Sequence, residues 1–584
     1  MFLRRSGRKD GRTYLQIVHG YRDPQGKSRV KVIKSLGYLD ELSKQYDDPI
    51  AHFRALAQDM EEKRRGETKY TFELHADALV EGCTRKNFGH VVFSRVYHEL
   101  ELDRFFNNKA RHAGFSYNAN SIMKLLVFAR LIYPGSKKST HALKERFFDI
   151  LDFSLDDVYN SLSFFDKHAL DCQRFMHERI TAKYGRETDL VYYDVTNYYF
   201  ETEHEDELRK KGYSKERRRD PIVQMGLAMD RQGIPLSYRL FAGNTHDSQT
   251  LMPVLAEIVR EYGAKRIITV ADKGLNSGDN IVFNTALGHG YVFSQSIRGA
   301  SEAMKAYILD EKGYEQTGQD YKRKSRILPV NVQYHIEPNR KTTAALNQKQ
   351  VVFYSEKYAK RAKRKRAEAL QKAADLIANP SKYKKTTACG AAGYVLGLAF
   401  DKKTGEVVDT GTVLALNREK IRQEERLDGY YAIVTSELDE PDDGIIDMYR
   451  GLWRIEESFK ITKSVVEARP VYVYKPEHIN AHFLTCFIAL TLARLVELKL
   501  NGAFPVSRII ESLRQVSCSH LDANYYLFDY ADEVTAALNK RFDLTFGKKL
   551  MTLGEIKKCF AQAKKQPDVS TTHGQSANPQ KPRR

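Results

Sequence analysis

Three carboxylates, far apart along the chain, stand in surroundings that could do chemistry. Asp194 lies in DLVYYDVT (189–196), Asp272 follows the short apolar run IITVA (267–271), and Glu456 lies in YRGLWRIEESFKITK (449–463). Read as one helix, the last stretch puts Tyr449, Leu452, Trp453, Glu456, Phe459, Lys460 and Lys463 on a single face, because they recur at i, i+3, i+4 and i+7. A carboxylate inside such a partly apolar stripe needs a partner charge or a metal, or it gives up its own charge. On the helix alone, an arginine partner and a metal are equally good readings of Glu456. Each aspartate alone reads most simply as a turn or cap residue. Together the three are donors of the kind hard cations take. Mg²⁺ keeps several waters and binds one or two carboxylates plus substrate phosphate. Two such ions roughly 4 Å apart activate a nucleophile and stabilise the leaving oxygen of an in-line phosphoryl displacement. The lysines of the Glu456 stretch would then sit on flanking phosphates.

The elements that would position these residues are legible between 186 and 275. Residues 189–196 read as a strand. Val223, Met225, Leu227 and Met229 alternate, Asp230-Arg231-Gln232-Gly233 turns, and Pro235–Ala242 runs back, a hairpin signal. Leu251, Val254, Leu255, Ile258 and Val259 recur at helical spacing, after a cap at Asp247 or Ser248 and before Gly263. Ile267–Ala271 is a short apolar strand. A helical crossover joins parallel strands. If the first and last strands are neighbours, Asp194 and Asp272 meet near their carboxyl ends, where open α/β sheets place their sites.

At 584 residues the chain is too long for one core. Residues 1–66 read as a small β-unit with basic edges, from the runs Thr13–Val18 and Arg29–Ile33 around the turn residues of YRDPQGKSR. Residues 67–180 read as mainly helical, with helical spacing in Ile122–Arg130 and Ala142–Phe148. Between those two, LIYPGSKKST reads as an ordinary surface turn more readily than as a phosphate loop. An α/β core over 181–289 is followed by a β-rich insertion over 290–445, with strand-like Gln350–Tyr354, Gly393–Phe400 and Tyr430–Thr435 and a basic helix over Lys357–Lys372. The core resumes over 446–500, where Asn480–Leu500 is helical. Residues 501–563 read as helical, and 564–584 as a polar, proline-containing disordered tail.

Lys+Arg of 94 against Asp+Glu of 75 leaves a net charge of +19, which favours a polyanionic partner, most simply nucleic acid. The charge is densest over Lys360–Arg366, where Lys363, Arg364, Lys365 and Arg366 favour phosphate contact over a merely solvated face. The six cysteines (Cys83, Cys172, Cys389, Cys486, Cys518 and Cys559) form no C-x-x-C pair, so neither a zinc site nor a disulfide framework is indicated. MFLRRSGRKDGR has no apolar signal-peptide region. The most apolar helix, Phe483–Leu495, is interrupted by Thr485, Thr491 and Arg494 and reads as too short and polar to span a membrane. A reducing cytoplasm is the default expectation.

DVTNYYFE at Asp194, AGNTHD at Ala242–Asp247, VADKG at Asp272, and Y-x6-E-x6-K at Tyr449, Glu456 and Lys463 resemble the DDE transposases of bacterial insertion sequences. The match is to the insertion-sequence-four superfamily, which includes the Tn-five-like enzymes. YLQIVHGYRDPQGKSRVKVIKSLGYLDE and the form YRGLWRIEESFK look like its IS-sixteen-thirty-four branch. The resemblance covers about 186–490 well and the N-terminus more loosely. It implies an RNase H-like α/β core interrupted by a β-strand insertion, and cleavage at transposon ends with 3′-OH strand transfer into target DNA, dependent on two Mg²⁺ ions for which Mn²⁺ substitutes. It further implies metal ligation by Asp194, Asp272 and Glu456, DNA contact by Tyr449 and Lys463, with Lys460 alongside, and a DNA-end-binding role for 67–180. Its partners would be double-stranded DNA, as transposon ends and target, and a second copy of the chain in the paired-end complex, with no membrane. The setting would be a bacterial or archaeal cytoplasm, on the nucleoid. The superfamily signature has an arginine three residues after the tyrosine; Leu452 stands there in this chain, leaving Arg450 or Arg454 to supply the charge. The register with Lys463 favours Glu456 over its neighbour Glu457.

Two other readings stay open beside transposition: a hydrolytic nuclease on the same fold, and a catalytically silent DNA-binding descendant. Some relatives cut through a DNA hairpin and hold a flipped base on an aromatic side chain of the insertion. The single tryptophan, Trp453, is outside that region and is expected to pack its helix against the sheet. Any such platform would be a residue like Tyr291, Phe293, Tyr430 or Tyr431.

Overall fold

The computed structural model describes residues 1–7, 11–22, 27–66, 85–213, 220–316, 320–385, 387–388, 390–401, 404–408, 411–521 and 524–565. The turn at 23–26, the start of the expected helical region (67–84), Cys83, Cys389 and the tail beyond 565 lie outside these. The chain forms two compact units, Met1–Glu81 and Gly82–Arg584.

The first unit is an antiparallel sheet of β1 (Phe2–Gly7), β2 (Thr13–Arg22) and β3 (Ser28–Tyr38), followed by an 18-residue helix, α1 (Pro49–Gly66). The expected small β-unit thus carries a helix beside its sheet. Asp48 accepts hydrogen bonds from the Ile50 and Ala51 amides and starts the helix, whose Phe53 packs with Leu15 and Leu42.

The second unit begins with helices. Among them α2 (Ala119–Ile132), capped by Asn118, is buried along its length, and α3 (Leu155–Lys167) carries a Ser154/Asp157 capping box. Ala142–Phe148 is not a helix: one helix ends at Ala142, a 3₁₀ turn covers Lys144–Arg146, and extended Phe147 bridges to Asn87. Apolar spacing there reflects two phenylalanines sent into the core by an irregular segment.

A nine-stranded mixed sheet dominates the unit. It comprises β4 (Leu190–Tyr199), β5 (Ile222–Asp230), β6 (Pro235–Ala242), β7 (Ile268–Ala271), β8 (Gly290–Gln295), β9 (Glu315–Gln316), β10 (Tyr321–Glu337), β11 (Arg340–Ser355) and β12 (Tyr430–Thr435). Their order in space is β9-β10-β11-β12-β8-β7-β4-β5-β6. Strands β4, β7 and β8 run parallel, and the remainder pair antiparallel. The crossover from the β5–β6 hairpin to β7 is α4 (Leu251–Tyr262), which ends at Gly263 in the left-handed region.

The alternation of strands and helices runs one unit further than expected. Helix α5 (Gly278–Ala286) leads into β8, so residues 290–295 are core sheet and not the start of an insertion. Tyr291 and Phe293 are buried on one face of the strand and Val292 on the other, and a strand buried on both faces shows no alternation to betray it. Hairpin β10–β11 and strand β12 extend this same sheet. The basic run lies in α6 (Glu356–Ala378), while Gly393–Phe400 holds only the two-residue strands Val395–Leu396 and Ala399–Phe400.

The chain returns through α7 (Asp442–Arg450), α8 (Trp453–Ser464) and α9 (Pro476–Lys499). At 24 residues α9 is longer than its interrupted apolar run suggested. By length and hydropathy it is the one helix of the described residues able to cross a membrane, but 94% of its most apolar window is buried inside the fold. It is the central core helix. The region after it is not all helical: Ser517–Leu521, Tyr525–Phe528 and Leu550–Thr552 join Arg85–Asn87 in a four-stranded sheet. Strands of three to five residues leave little local trace, least of all where Arg85–Asn87 pairs with Ser517–Leu521 at the other end of the chain. Cys172, Cys486, Cys518 and Cys559 are buried free thiols.

Candidate active site

Backbone register sets the first two carboxylates. Strands β4 and β7 pair in parallel as Leu190↔Ile268, Val191↔Thr269 and Tyr192↔Val270. Continuing that register two residues further brings Asp194 level with Asp272. Half-buried Asp194 accepts a hydrogen bond from the Val195 amide at 2.8 Å. Asp272, exposed just past β7, accepts from Ser294 Oγ of β8 at 2.7 Å and from the Tyr449 hydroxyl at 3.4 Å.

The third carboxylate is held differently from expectation. Tyr449–Lys463 is not one helix: α7 ends at Arg450, and α8 starts at Trp453 after a turn at Gly451 and Leu452. Gly451 lies flat on Tyr192, where an added Cβ would be 1.8 Å from the tyrosine hydroxyl, so only glycine allows the approach. Helix α8 buries Ile455, Ser458, Phe459, Ile461 and Thr462. The buried stripe thus runs through Leu452, Ile455, Phe459 and Thr462, and Trp453, Glu456 and Lys460 form the outward face. Glu456 is exposed and not a buried charge. Trp453 is 54% exposed and does not pack the helix against the sheet. Glu457 turns instead to buried Arg494, at 2.9 Å.

Two contacts fix where α8 crosses β4. Gly451 sits over Tyr192, and the Tyr198 hydroxyl meets Thr462 Oγ1 at 2.7 Å. Tyr192, Asp194 and Tyr198 share one face of β4, so Asp194 and Glu456 lie on facing elements between the same two contacts. Tyr431 of β12 joins this group. Its hydroxyl pKa is raised by burial first, and further by Tyr358 and the charges of Asp272 and Glu456, against the lowering influence of Arg361. Burial also raises the Tyr449 hydroxyl, with Asp272 adding to it. Among the described residues no three His, Cys, Asp or Glu side chains converge closely enough to hold one ion. The three carboxylates ring the site without closing on a point. Their all-oxygen donor chemistry still suits a hard cation, and Mg²⁺ needs only one or two carboxylates beside phosphate and water.

The flanking cations divide. Arg450 is exposed and lies 3.4 Å from Asp447. Arg454 is half-buried, packed on Gly233 of the β5–β6 turn and 5.4 Å from the Trp453 ring. Lys460 is exposed, and Lys463 lies 5.7 Å from the Tyr198 ring. On α6, Lys363, Arg364 and Lys365 are exposed, but Arg366 is 5% exposed in an ion pair with Asp428 at 2.6 Å and is unavailable to DNA. The beginning of α6 reaches Tyr431: the Tyr358 ring is 5.0 Å from it.

Of the aromatic residues named as base platforms, Tyr291 and Phe293 are fully buried. Tyr431 is 40% exposed, stacked on Phe353 at 5.6 Å. Its place beside Asp272 and Glu456 has no local sequence signal, because antiparallel pairing with β8 and β11 puts it there. LIYPGSKKST is also more than a surface turn. Lys137 is 3% exposed with no hydrogen-bond partner on Nζ among the described residues, and burial, reinforced by Arg130, pushes its pKa down to about 7.

A family model described as "Transposase DDE domain" matches residues 190–492, more than half of the chain, and one described as "IS1634 family transposase, N-terminal domain" matches residues 3–72. No curated protein matches. Among solved structures, the chain is similar to a piggyBac transposase synaptic complex with hairpin DNA, at 7% identity over 83% of this chain and 86% of that one. The TM-score is 0.34, too loose a likeness to argue from.

Proposed function

The chain belongs to the DDE transposases, in the IS1634 family, enzymes that cleave DNA and transfer its strands, and from that premise we propose that it recognises the terminal inverted repeats of an insertion sequence, cleaves them and joins the freed 3′-OH to target DNA. The observation that carries this reading is the parallel β4–β7 register that sets Asp194 level with Asp272, with Glu456 on the exposed face of α8, the helix that packs on β4. Asp194, Asp272 and Glu456 would hold Mg²⁺, which when bound supplies charge stabilisation at the phosphate and an activated nucleophile. Tyr449 holds its hydroxyl at Asp272 and positions that carboxylate. Arg450, Lys460, Lys463 and the exposed α6 residues Lys363, Arg364 and Lys365 place positive charge along the DNA path. Arg454 is directed to the hairpin turn and makes its contribution through packing. The helical region before β4 would bind the ends, and the paired-end complex would contain two copies.

The test uses a duplex carrying the inverted repeats that flank the gene, incubated with the purified chain and Mg²⁺. Cleavage at the repeat ends followed by covalent joining to a target plasmid is the expected result. Cleavage without joining would identify a hydrolytic nuclease, and binding without cleavage a silent descendant. Light scattering of the paired-end complex should give two protomers; one would overturn the dimer.

A further inference from the structure

The two oxygens of Asp272 are treated differently by the residues around them. Strand β8 runs parallel to β7 with Val270 opposite Val292 and Ala271 opposite Phe293, so the next residue of β8, Ser294, comes level with Asp272. The Ser294 hydroxyl, on a residue 3% exposed, donates to Asp272 Oδ1 at 2.7 Å. The Tyr449 hydroxyl donates to the same oxygen at 3.4 Å. Burial holds the pKa of that hydroxyl well above its ordinary value, so it keeps its proton and stays a donor. Oδ2 accepts no hydrogen bond among the described residues, and the side chain is exposed. The frame behind Ser294 is closed on both edges. Asn276, which ends the turn after Asp272, donates from Nδ2 to the Ser294 carbonyl at 3.0 Å and to Gln295 Oε1 at 2.8 Å, and Ser294 pairs with Ile433 of β12 on the other side.

We propose that Ser294, supported by Tyr449, is a positioning residue that presents Asp272 to a cation through Oδ2 alone, and so selects small octahedral cations such as Mg²⁺ and Mn²⁺ over Ca²⁺. An ionised carboxylate has about four lone-pair positions on its two oxygens, and the two hydroxyls take those of Oδ1. Gripping one cation with both oxygens needs Oδ1 free. Ca²⁺ gathers about 6–8 oxygens in a flexible shell and takes carboxylates through one oxygen or both, whereas Mg²⁺ demands near-ideal octahedral geometry. A carboxylate fixed in plane with one oxygen forward suits the second and restricts the first. Hydrogen bonds behind a ligand fix its orientation and so set its metal affinity. This inference rests on the reading of Asp272 as a cation ligand.

The test measures Mn²⁺ by electron paramagnetic resonance on the full chain bound to its end duplex, with the duplex alone subtracted, and titrates Ca²⁺ against it. Ser294→Ala should weaken Mn²⁺ binding about 10-fold and leave Ca²⁺ binding unchanged or tighter, so that the preference for Mn²⁺ falls. Ser294→Thr, which keeps the hydroxyl, should restore the preference. Tyr449→Phe should shift it in the same direction by a smaller factor, because its contact is longer, and it carries the test should Ser294→Ala fail to fold. In end cleavage, Ser294→Ala should raise the Mg²⁺ concentration giving half the maximal rate about 10-fold, with most of the rate recovered at excess Mg²⁺. A preference unchanged in both Ser294→Ala and Tyr449→Phe, or equal weakening of the two cations, overturns the proposal; if Asp272→Asn still loses Mn²⁺, the cation reading of Asp272 stands without it. Mn²⁺ binding that Asp272→Asn does not alter overturns that reading and this inference together.

Discussion

Asp194 and Asp272 are placed by backbone register, whereas Glu456 is placed by the side chains on the opposite face of its helix. A strand ladder fixes its residues through hydrogen bonds common to every sequence, so two strand-end carboxylates stay level whatever flanks them. Helix α8 has no such ladder to β4. It is oriented by Ile455, Phe459 and Thr462 packing inward and by Gly451 lying on Tyr192. The strand pair should therefore tolerate changes in neighbouring side chains, and the helix-borne carboxylate should depend on residues that never touch DNA.

The largest effect expected is chemical and treats the two regions alike. Asp194→Asn, Asp272→Asn and Glu456→Gln should each reduce end cleavage to background with folding and DNA binding retained, since each removes charge from the proposed cation site. Near-normal Mg²⁺-dependent cleavage by any one of them would take that residue out of the site. The next effect separates the regions. Ile455→Ala should cost about 2–5 kcal/mol in denaturant unfolding, as buried large-to-small changes do, whereas Glu456→Ala, on the exposed face, should change stability by no more than about 0.5 kcal/mol. Equal losses would mean that Glu456 is part of the packing.

The basic helix sharpens the same contrast between facing outward and facing inward. Replacing Lys363, Arg364 and Lys365 with Gln should flatten the slope of log K against log salt by up to about 3 units and leave stability alone. Arg366→Gln should leave the slope unchanged and destabilise the fold, because Asp428 keeps a charge without its partner. An altered slope for Arg366→Gln would break that division. The smallest effect belongs to Trp453→Ala, which should shift stability by no more than about 0.5 kcal/mol. Any loss it causes should appear in cleavage products on a denaturing gel; a clear drop in melting temperature would restore the packing role that its exposure denies.

The hairpin β5–β6, the crossover α4 and the strand β7 were legible because turn residues, caps and apolar spacing all agree over short distances. Strand β8 was not, since burial on both faces removes alternation, and its antiparallel neighbour β12 comes from far along the chain, with Val292 opposite Thr435. The 449–463 stretch misled for a specific reason. Apolar and charged residues occur at helical spacing on two faces, and the Gly451–Leu452 break rotates α8 relative to α7, so the outward face was taken for the inward one. Glu456 was singled out through its spacing to Tyr449 and Lys463, which does not depend on which way the helix faces.

By itself the sequence determined the elements bearing Asp194 and Asp272 and the positive charge suited to a polyanion, and it nominated the three carboxylates, because local pattern and composition suffice for these. Only the tertiary structure decided that Trp453 and Glu456 face outward, that Arg366 and Lys137 are buried while Lys363 is not, that Tyr431 stands beside Asp272 and Glu456, and that a cleft opens next to Asp194. Each of those depends on which distant segment covers a side chain, and burial is a property of the packed molecule that no local spacing carries.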